Sequence, residues 1–206
     1  MHTPTTSQRR RRPRGRPRSR SADKAIVDAT LELLAERGFQ AATIDAIAAR
    51  AGVGRNTIYR RWSGKEELIA DAIRELSADL DMNEGDDLYS VLLDWIRDFT
   101  RVFSDPLFGR ILPAVLGELE RNPSFAVAYA DRVVRPRREA LVELLERAVE
   151  RGELRRGADV DQIVDLLAGA PFVRLLPIGL PPLTERYAEK LLETIWYGIG
   201  PTLDRE

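Results

Sequence analysis

The stretch from Thr43 to Lys65, TIDAIAARAGVGRNTIYRRWSGK, has the pattern of two short helices joined by a turn. Its first part repeats apolar residues at spacings of three and four, which indicates one buried helical face: Ile44, Ile47, Ala48 and Ala51. Gly52 and Gly54 end this helix, because glycine accepts the positive φ that a tight turn requires. A second helix is predicted from about Arg55 to Trp62.

The second helix is predicted to have an apolar edge and a polar face. Ile58 and Trp62, one turn apart, form the edge. At about 100° per residue the polar residues fall together on another side, and we call this set the polar wedge: Arg55, Asn56, Tyr59 and Arg60. A major groove admits such a helix, and arginine and asparagine pair bidentately with guanine and adenine edges. The wedge predicts a DNA-reading helix-turn-helix, although similar helix pairs also occur in helical proteins with other functions.

The flanking segments complete a small head around this pair of helices. Ser21 or Asp23 can cap a helix that runs to about Arg37 and ends at Gly38. The apolar face of this helix can pack under the other two: Ile26, Ala29, Leu33 and Phe39. Thr43 is placed to cap the next helix, and its hydroxyl could also meet a DNA phosphate, so both roles stay open.

A fourth helix is predicted to begin at residues 63–66 and to continue to about Leu80. Ser63 and Glu66 have the spacing of a capping box. Lys65 lies in the first turn, where the helix dipole disfavours a cation. A lysine at this place is easier to understand if it points at a DNA phosphate.

This ordered series of features, from about Ala22 to Arg74, resembles the N-terminal domain of the TetR family of bacterial transcriptional regulators. The features are the first helix, the Gly-Phe pair after it, TIDAIAARAGVGRNTIYRRW and SGKEEL. The resemblance implies phosphate contacts by Thr43, Tyr59 and Lys65, and contacts to bases or nearby backbone by Arg55, Asn56, Thr57 and Arg60. The sequence departs from the family pattern at Asn56, where a small residue is frequent, and at Arg60, where a second aromatic often lies.

Residues 1–20 are predicted to form a disordered arm that carries eight arginines and no acid. Within it RGRPR resembles an AT-hook core, in which arginines lie in a narrow minor groove: Arg14, Arg16 and Arg18. The arm could instead be a nonspecific polycation that touches only phosphates. A nuclear-localisation signal is a further interpretation, which the bacterial character of the remaining chain disfavours.

Composition excludes several other classes of protein. The 206-residue chain has a net charge of −1, no cysteine and a single histidine, His2. A disulfide framework and a thiolate metal site are therefore excluded, and we expect no metal, no cofactor and no catalytic residues. Apolar runs stay well below the roughly 18 residues of a membrane span, and the N-terminus lacks the apolar region of a signal peptide. A cytoplasmic protein is expected.

The rest of the chain is also predicted to be helical, which gives an all-α fold with about nine helices. An acidic linker at residues 81–87 precedes helices at about 88–104, 107–120, 124–151, 160–170 and 183–199. Pro113 is expected to kink its helix, Pro136 to kink or divide one, and Pro171 to restart the path of the chain. The predicted domains are a helix-turn-helix domain at 21–66 and an effector-binding and dimerisation domain at 67–206.

Aromatic and aliphatic residues in the middle helices are candidates for a ligand pocket, which the family resemblance implies: Trp95, Phe99, Phe103, Phe108, Leu112, Phe125, Tyr129 and Phe172. Ordinary core packing would explain each of them as well. The charged side chains of these helices, Glu118 among them, are expected mostly on solvated faces.

The last two long helices have apolar arcs too wide for one buried face. A symmetric pairing of two copies would bury the second face, and the candidate interface residues are Val164, Leu167, Leu191, Ile195 and Trp196. The alternative is a fully enclosed helix in a monomer.

The sequence therefore predicts a homodimeric repressor of the TetR type that binds a palindromic operator in double-stranded DNA and is released by a small-molecule effector. An effector-independent or nucleoid-like DNA-binding protein remains the alternative. A small helical enzyme is disfavoured, because the chain has no nucleophile-elbow, P-loop or metal-ligand signature.

Overall fold

Helices make up all of the regular structure in the part of the chain that the computed structural model describes, which is residues 20–78, 87–176 and 179–199. The first four are α1 (Arg20–Ala41), α2 (Ile44–Ala51), α3 (Arg55–Tyr59) and α4 (Lys65–Leu76). The others are α5 (Leu88–Phe103), α6 (Pro106–Arg121), α7 (Pro123–Tyr129), a π-helical segment (Ala130–Val134), α8 (Arg135–Glu150), α9 (Val160–Val173) and α10 (Glu185–Ile199). Since α7, the π-helical segment and α8 are continuous, these described residues form nine helical rods, and the all-α prediction is confirmed.

Side-chain caps fix where several helices begin. The Thr43 hydroxyl accepts a hydrogen bond from the Ala46 amide at 3.2 Å, as the sequence predicted. Asp159 likewise accepts from the Gln162 amide at the start of α9, at 3.0 Å. Three further caps begin α5, α6 and α7: Asp87, Asp105 and Asn122. Each of them satisfies an amide that has no carbonyl partner within its own helix.

Pro113, Pro136 and Pro171 each lie within a helical segment. α6 continues through Pro113, and α9 continues through Pro171 to Val173, so the predicted restart at Pro171 was wrong. Pro171 removes one hydrogen bond near the end of α9, but its ring is buried, and this packing offsets the loss. Pro136 is the second residue of α8, directly after the π-helical segment. The rod is not divided there: its backbone leaves the α-helical pattern only in the π-helical segment just before Pro136, and the helix continues to Glu150.

Buried side chains form two clusters that meet at α6. The head cluster joins α1 to α4 with α6, α7 and the π-helical segment. The second cluster joins α5, α6, α8, α9 and α10. α6 contributes Ile111 and Val115 to the head cluster, and Phe108 and Leu112 to the second. The head is therefore built onto a helix that also belongs to the core of the C-terminal helices.

A buried carboxylate lies where the head meets α6. The Glu118 side chain is only 5% exposed, and its Oε1 accepts a hydrogen bond from Gln40 Nε2 of α1 at 2.9 Å. The expectation that Glu118 faces solvent was wrong, because α1 packs over this turn of α6. Across the described ranges, no helix is both long enough and apolar enough to cross a membrane.

Candidate nucleic-acid interface

The polar wedge lies on the outer surface of the head. Arg55, Asn56, Tyr59 and Arg60 are all exposed, with the Arg55 side chain at 65% and Tyr59 at 54%. On the opposite side of α3, Ile58 is completely buried in the head cluster. The separation of a polar and an apolar side that the sequence predicted is therefore present in the structure.

α3 is shorter than predicted, because the chain turns after Tyr59. The Arg61 amide donates to the carbonyl of Ile58, three residues before it, at 2.9 Å, and this tighter bond ends the regular helix. This turn directs Trp62 inward, where it is only 7% exposed. Arg60 thus caps the helix instead of lying within it.

A hydrogen-bonded network anchors the C-terminal end of α3, and we call it the Asp71 network: Trp62, Glu67, Asp71 and Arg132. The Trp62 indole nitrogen donates to Asp71 Oδ2 at 2.8 Å. Arg132, from the π-helical segment, bonds the same oxygen at 3.1 Å and pairs with Glu67 at 3.1 Å. The end of α3 is thereby tied to α4 and to the rod formed by α7, the π-helical segment and α8.

The turn between α2 and α3 sets the angle at which the wedge is presented. Gly52 has a φ of 66°, in the left-handed region, and its amide bonds the carbonyls of the last turn of α2. The Val53 amide donates to the Ala48 carbonyl at 3.0 Å. Gly54, by contrast, has an ordinary φ of −76°, so only the first of the two glycines is required by the backbone.

The N-terminus of α1 lies beside α3. Asp23, in the first turn of α1, pairs with Arg61, and Arg61 also donates to the Thr57 carbonyl at 2.9 Å. The first turn of α1 therefore lies next to the end of α3. Three of the predicted contacts, Arg14, Arg16 and Arg18, lie outside the described residues.

Three of the predicted phosphate or backbone contacts have structural partners of their own. Thr43 is exposed and caps α2, but a hydroxyl that accepts one bond can still donate another. Thr57 is half-buried beside Arg61. Lys65 donates to the Phe39 carbonyl at 3.4 Å, and its ammonium lies 4.5 Å from the centre of the Phe39 ring. The cation in the first turn of α4 thus has an internal explanation that the sequence did not indicate.

The start of α4 differs from the predicted capping box. Gly64 is the residue before the helix, and the Ser63 amide donates to Glu67 Oε2 at 3.1 Å rather than to Glu66. This bond is the main reason why the pKa of Glu67 lies below its ordinary value, and the nearby Arg132 guanidinium lowers the pKa further. Glu67 thus joins the cap of α4 to the Asp71 network.

The candidate pocket residues do not form one group. Phe125 and Tyr129 belong to the head cluster, where the Phe125 ring contacts Phe39 at 4.6 Å. The others lie in or against the second cluster: Trp95, Phe99, Phe103, Phe108, Leu112 and Phe172. Four of these form an aromatic row, with adjacent ring centres 5.7, 4.1 and 4.2 Å apart from Trp95 to Phe108.

The candidate interface residues on the last two helices mostly face inward, which corrects the sequence prediction. Val164, Leu167 and Ile195 are buried in the chain's own second cluster, so they are not available to a partner. Leu191 and Trp196 are half-buried. Three other large apolar side chains of these two helices are exposed instead. We call them the outer face of α9 and α10: Leu166, Val173 and Tyr197, of which Tyr197 is 84% exposed.

Comparison with known proteins agrees with this architecture. The sequence model described as "Bacterial regulatory proteins, tetR family" matches residues 26–72, and "Tetracyclin repressor-like, C-terminal domain" matches residues 83–195. The HTH-type transcriptional regulator YdeS of Bacillus subtilis (strain 168) is 35% identical over 92% of this chain and 95% of its own length.

Two further relatives extend the comparison to a repressor and to a solved structure. The "DNA-binding transcriptional repressor TetR" of Mycobacteroides abscessus is 30% identical over 86% of this chain and 93% of its own. The crystal structure of the TetR family transcription regulator SCO0332 superposes with a TM-score of 0.71 at 29% identity, covering 88% of this chain and 100% of that one. The matches agree with the exposed polar wedge on α3 and with a head that packs on the C-terminal core. We conclude that the chain belongs to the TetR family of bacterial transcriptional regulators and is a DNA-binding protein rather than an enzyme.

Proposed function

We propose that two copies of this chain bind a palindromic operator, with one α3 in each of two successive major grooves. The observation that carries this proposal is the orientation of α3, which exposes the polar wedge and buries Ile58 and Trp62. Successive major grooves on one side of the duplex are about 34–36 Å apart, so a two-fold dimer can place both helices at once.

The dimer interface is the outer face of α9 and α10. Leu166 and Val173 lie two turns apart on α9 with Gly169 between them, and Tyr197 lies on α10. They are 48%, 42% and 84% exposed, a high exposure for apolar side chains of this size. A two-fold axis at this face would cover the apolar groups of both copies with the same residues.

The contacts to DNA divide into two kinds. Arg55, Asn56, Thr57 and Arg60 contact bases or the backbone beside them, whereas Thr43, Tyr59 and Lys65 contact phosphates. The arginines before α1, including Arg14, Arg16 and Arg18, add electrostatic affinity from the end of the chain that enters beside α3. Because it works on the chromosome, the protein acts in the bacterial cytoplasm.

Release from the operator is controlled by a small-molecule effector, and bound protein represses transcription. Two facts support this assignment: a relative carries the name of a repressor, and an aromatic row lies in the C-terminal core. A ligand that binds better to a dimer with another separation of the heads weakens DNA binding, by as much as its affinities for the two states differ.

Selection of bound duplexes from a random pool tests the DNA-binding part of this proposal. We expect a palindrome whose half-sites are about one helical turn, or a multiple of it, apart from centre to centre. Recovery of sequences without symmetry would contradict the proposed dimer on its operator. A screen for small molecules that raise the melting temperature, followed by release from the selected operator, then separates an effector-controlled repressor from an effector-independent DNA-binding protein.

A further inference from the structure

An exposed ion pair links the recognition helix to the helix before it. Arg55 Nη1 lies 3.1 Å from Asp45 Oδ1. Arg55 is the first residue of α3, and Asp45 lies in the first turn of α2, so the pair spans the turn of the helix-turn-helix. The two side chains are 65% and 71% exposed, which leaves both in reach of DNA.

Fold stability gives only a modest reason for an acid at this place, and attraction to DNA gives none. An ion pair as exposed as this one stabilises a fold only weakly, because water and salt screen it. Asp45 does favour the dipole of α2, but Thr43 already caps that helix. A carboxylate on a surface that contacts phosphates lowers the affinity for DNA. Its presence beside the first residue of the wedge is therefore better explained by a role in distinguishing one DNA sequence from another.

The geometry of the guanidinium allows one arginine to serve two acceptors. A guanidinium has five N–H groups, and the contact with Asp45 engages Nη1. The edge formed by Nε and Nη2 stays available to fork onto O6 and N7 of a guanine. At a guanine, Arg55 can therefore keep Asp45 paired while it reads the base.

We propose that Asp45 is a specificity-determining residue that holds Arg55 for a guanine edge and penalises complexes in which Arg55 leaves it for a phosphate. When Arg55 moves to a phosphate, the Asp45 carboxylate is left unpaired against polyanionic DNA in an interface that is losing water. The inference rests on the proposed function, since α3 must enter the major groove. With this proposal, a residue of α2 that lies outside the wedge also helps to set which DNA sequence the protein prefers.

The test measures affinity for the selected operator and for a scrambled duplex of equal length and composition, at two salt concentrations. We expect D45N to bind scrambled DNA more tightly than the wild type does. The ratio of operator affinity to scrambled affinity should fall about tenfold, which is the discrimination that one bidentate base contact typically provides. The matched control is D28N, which also removes one acid from an exposed ion pair, that of Lys24 and Asp28 at 3.0 Å on α1. Its affinity ratio should stay within about twofold of the wild-type value, since net charge alone acts equally on both duplexes.

A double-mutant cycle shows whether Asp45 acts through Arg55. In an R55A background, the D45N change should leave the affinity ratio unaltered. The inference is overturned if D45N shifts both affinities by the same factor, or if it lowers the ratio equally with and without Arg55. If the wild-type protein binds operator and scrambled DNA equally well, the proposed function itself is overturned. If the wild type prefers the operator and D45N has the same affinity ratio, only the role of Asp45 is overturned.

Discussion

Ile58 and Trp62 hold the recognition helix, and their side chains decide which way the polar wedge faces. α3 has only five residues and no side-chain cap, so its own hydrogen bonds cannot keep it in place. Ile58 is completely buried, and Trp62 is both buried and hydrogen-bonded to Asp71. Because both side chains are packed in the head, the opposite side of α3, which carries the four wedge residues, faces solvent.

At this scale the pKa of Glu67 predicts how stability depends on pH. The pKa is lower in the folded protein than in the unfolded chain, so the carboxylate stabilises the fold above its ordinary pKa, and this contribution is lost as pH falls through the lower, folded value. The free energy of unfolding in denaturant should therefore fall more steeply below about pH 4 for the wild type than for E67Q. Curves that run parallel from neutral to acid pH would contradict this role of Glu67.

Single residues were predicted best where their function is local. Thr43 as a cap, Ile58 and Trp62 as an apolar edge, and the exposure of the wedge follow from spacing within one turn of helix. The burial of Glu118 and the internal contacts of Lys65 were missed, because their partners, Gln40 and Phe39, are distant in the sequence and are brought near only by packing of α1. No pattern in the sequence marks such a contact.

Among the elements, the turn before α3 depends on one glycine. Gly52 has a φ of 66°, and a Cβ there would meet no atom within 4 Å, so a substitution is opposed by the backbone alone. G52A should cost about 1–2 kcal/mol of stability in denaturant unfolding. The control is G109A in α6, where a Cβ also has open space and φ is ordinary helical; that variant should gain about 0.5–1 kcal/mol. Equal effects of the two variants would show that the turn does not need the left-handed conformation.

Element type was easier to predict than element length. Periodic apolar residues gave the helices of the head and of the C-terminal region, and caps at Thr43 and Asp159 gave two of their starts. The early end of α3, the π-helical segment and the passage of α9 through Pro171 occur where Trp62, Arg132 and Pro171 make tertiary contacts or are buried. Local preferences are overridden where such contacts are stronger.

At the scale of the whole molecule, the outer face of α9 and α10 should control assembly. L166E places a charge in the proposed interface, so we expect monomers in sedimentation and a loss of operator affinity of at least tenfold, with an unaltered melting temperature at low concentration. The control is V127E, the same kind of change at a 61% exposed valine of α7, which should remain dimeric. A dimeric L166E protein would place the interface elsewhere.

The arginine-rich N-terminal residues should contribute affinity more than selectivity. Deletion of residues 1–19 removes seven arginines and no acid. The slope of log affinity against log salt should become less negative by about 0.9 for each phosphate that these arginines no longer neutralise, with operator preference largely kept. Titrations of the operator at several salt concentrations give this slope; a slope that the deletion leaves unchanged would exclude phosphate binding by these residues.

Which face of a helix meets its own core could not be read from composition. α9 and α10 were correctly expected to have wide apolar arcs, but Val164, Leu167 and Ile195 face inward, and Leu166, Val173 and Tyr197 face outward. Because the apolar arc of each helix covers more than one side, its periodicity does not show which part of the arc meets the core. The candidate pocket was split because α7 packs in the head cluster alone, whereas α6 contributes to both clusters.

Base reading by α3 is tested most sharply by the affinity of N56A for every single-base-pair variant of the selected operator. Asn56 is exposed on α3 and belongs to the wedge to which we assign base contacts. We expect a loss of about 1–3 kcal/mol that depends on the identity of one or two base pairs in each half-site, and loss of preference at those positions. An equal loss of affinity on every duplex, or no loss at all, would contradict the claim that α3 reads the major groove.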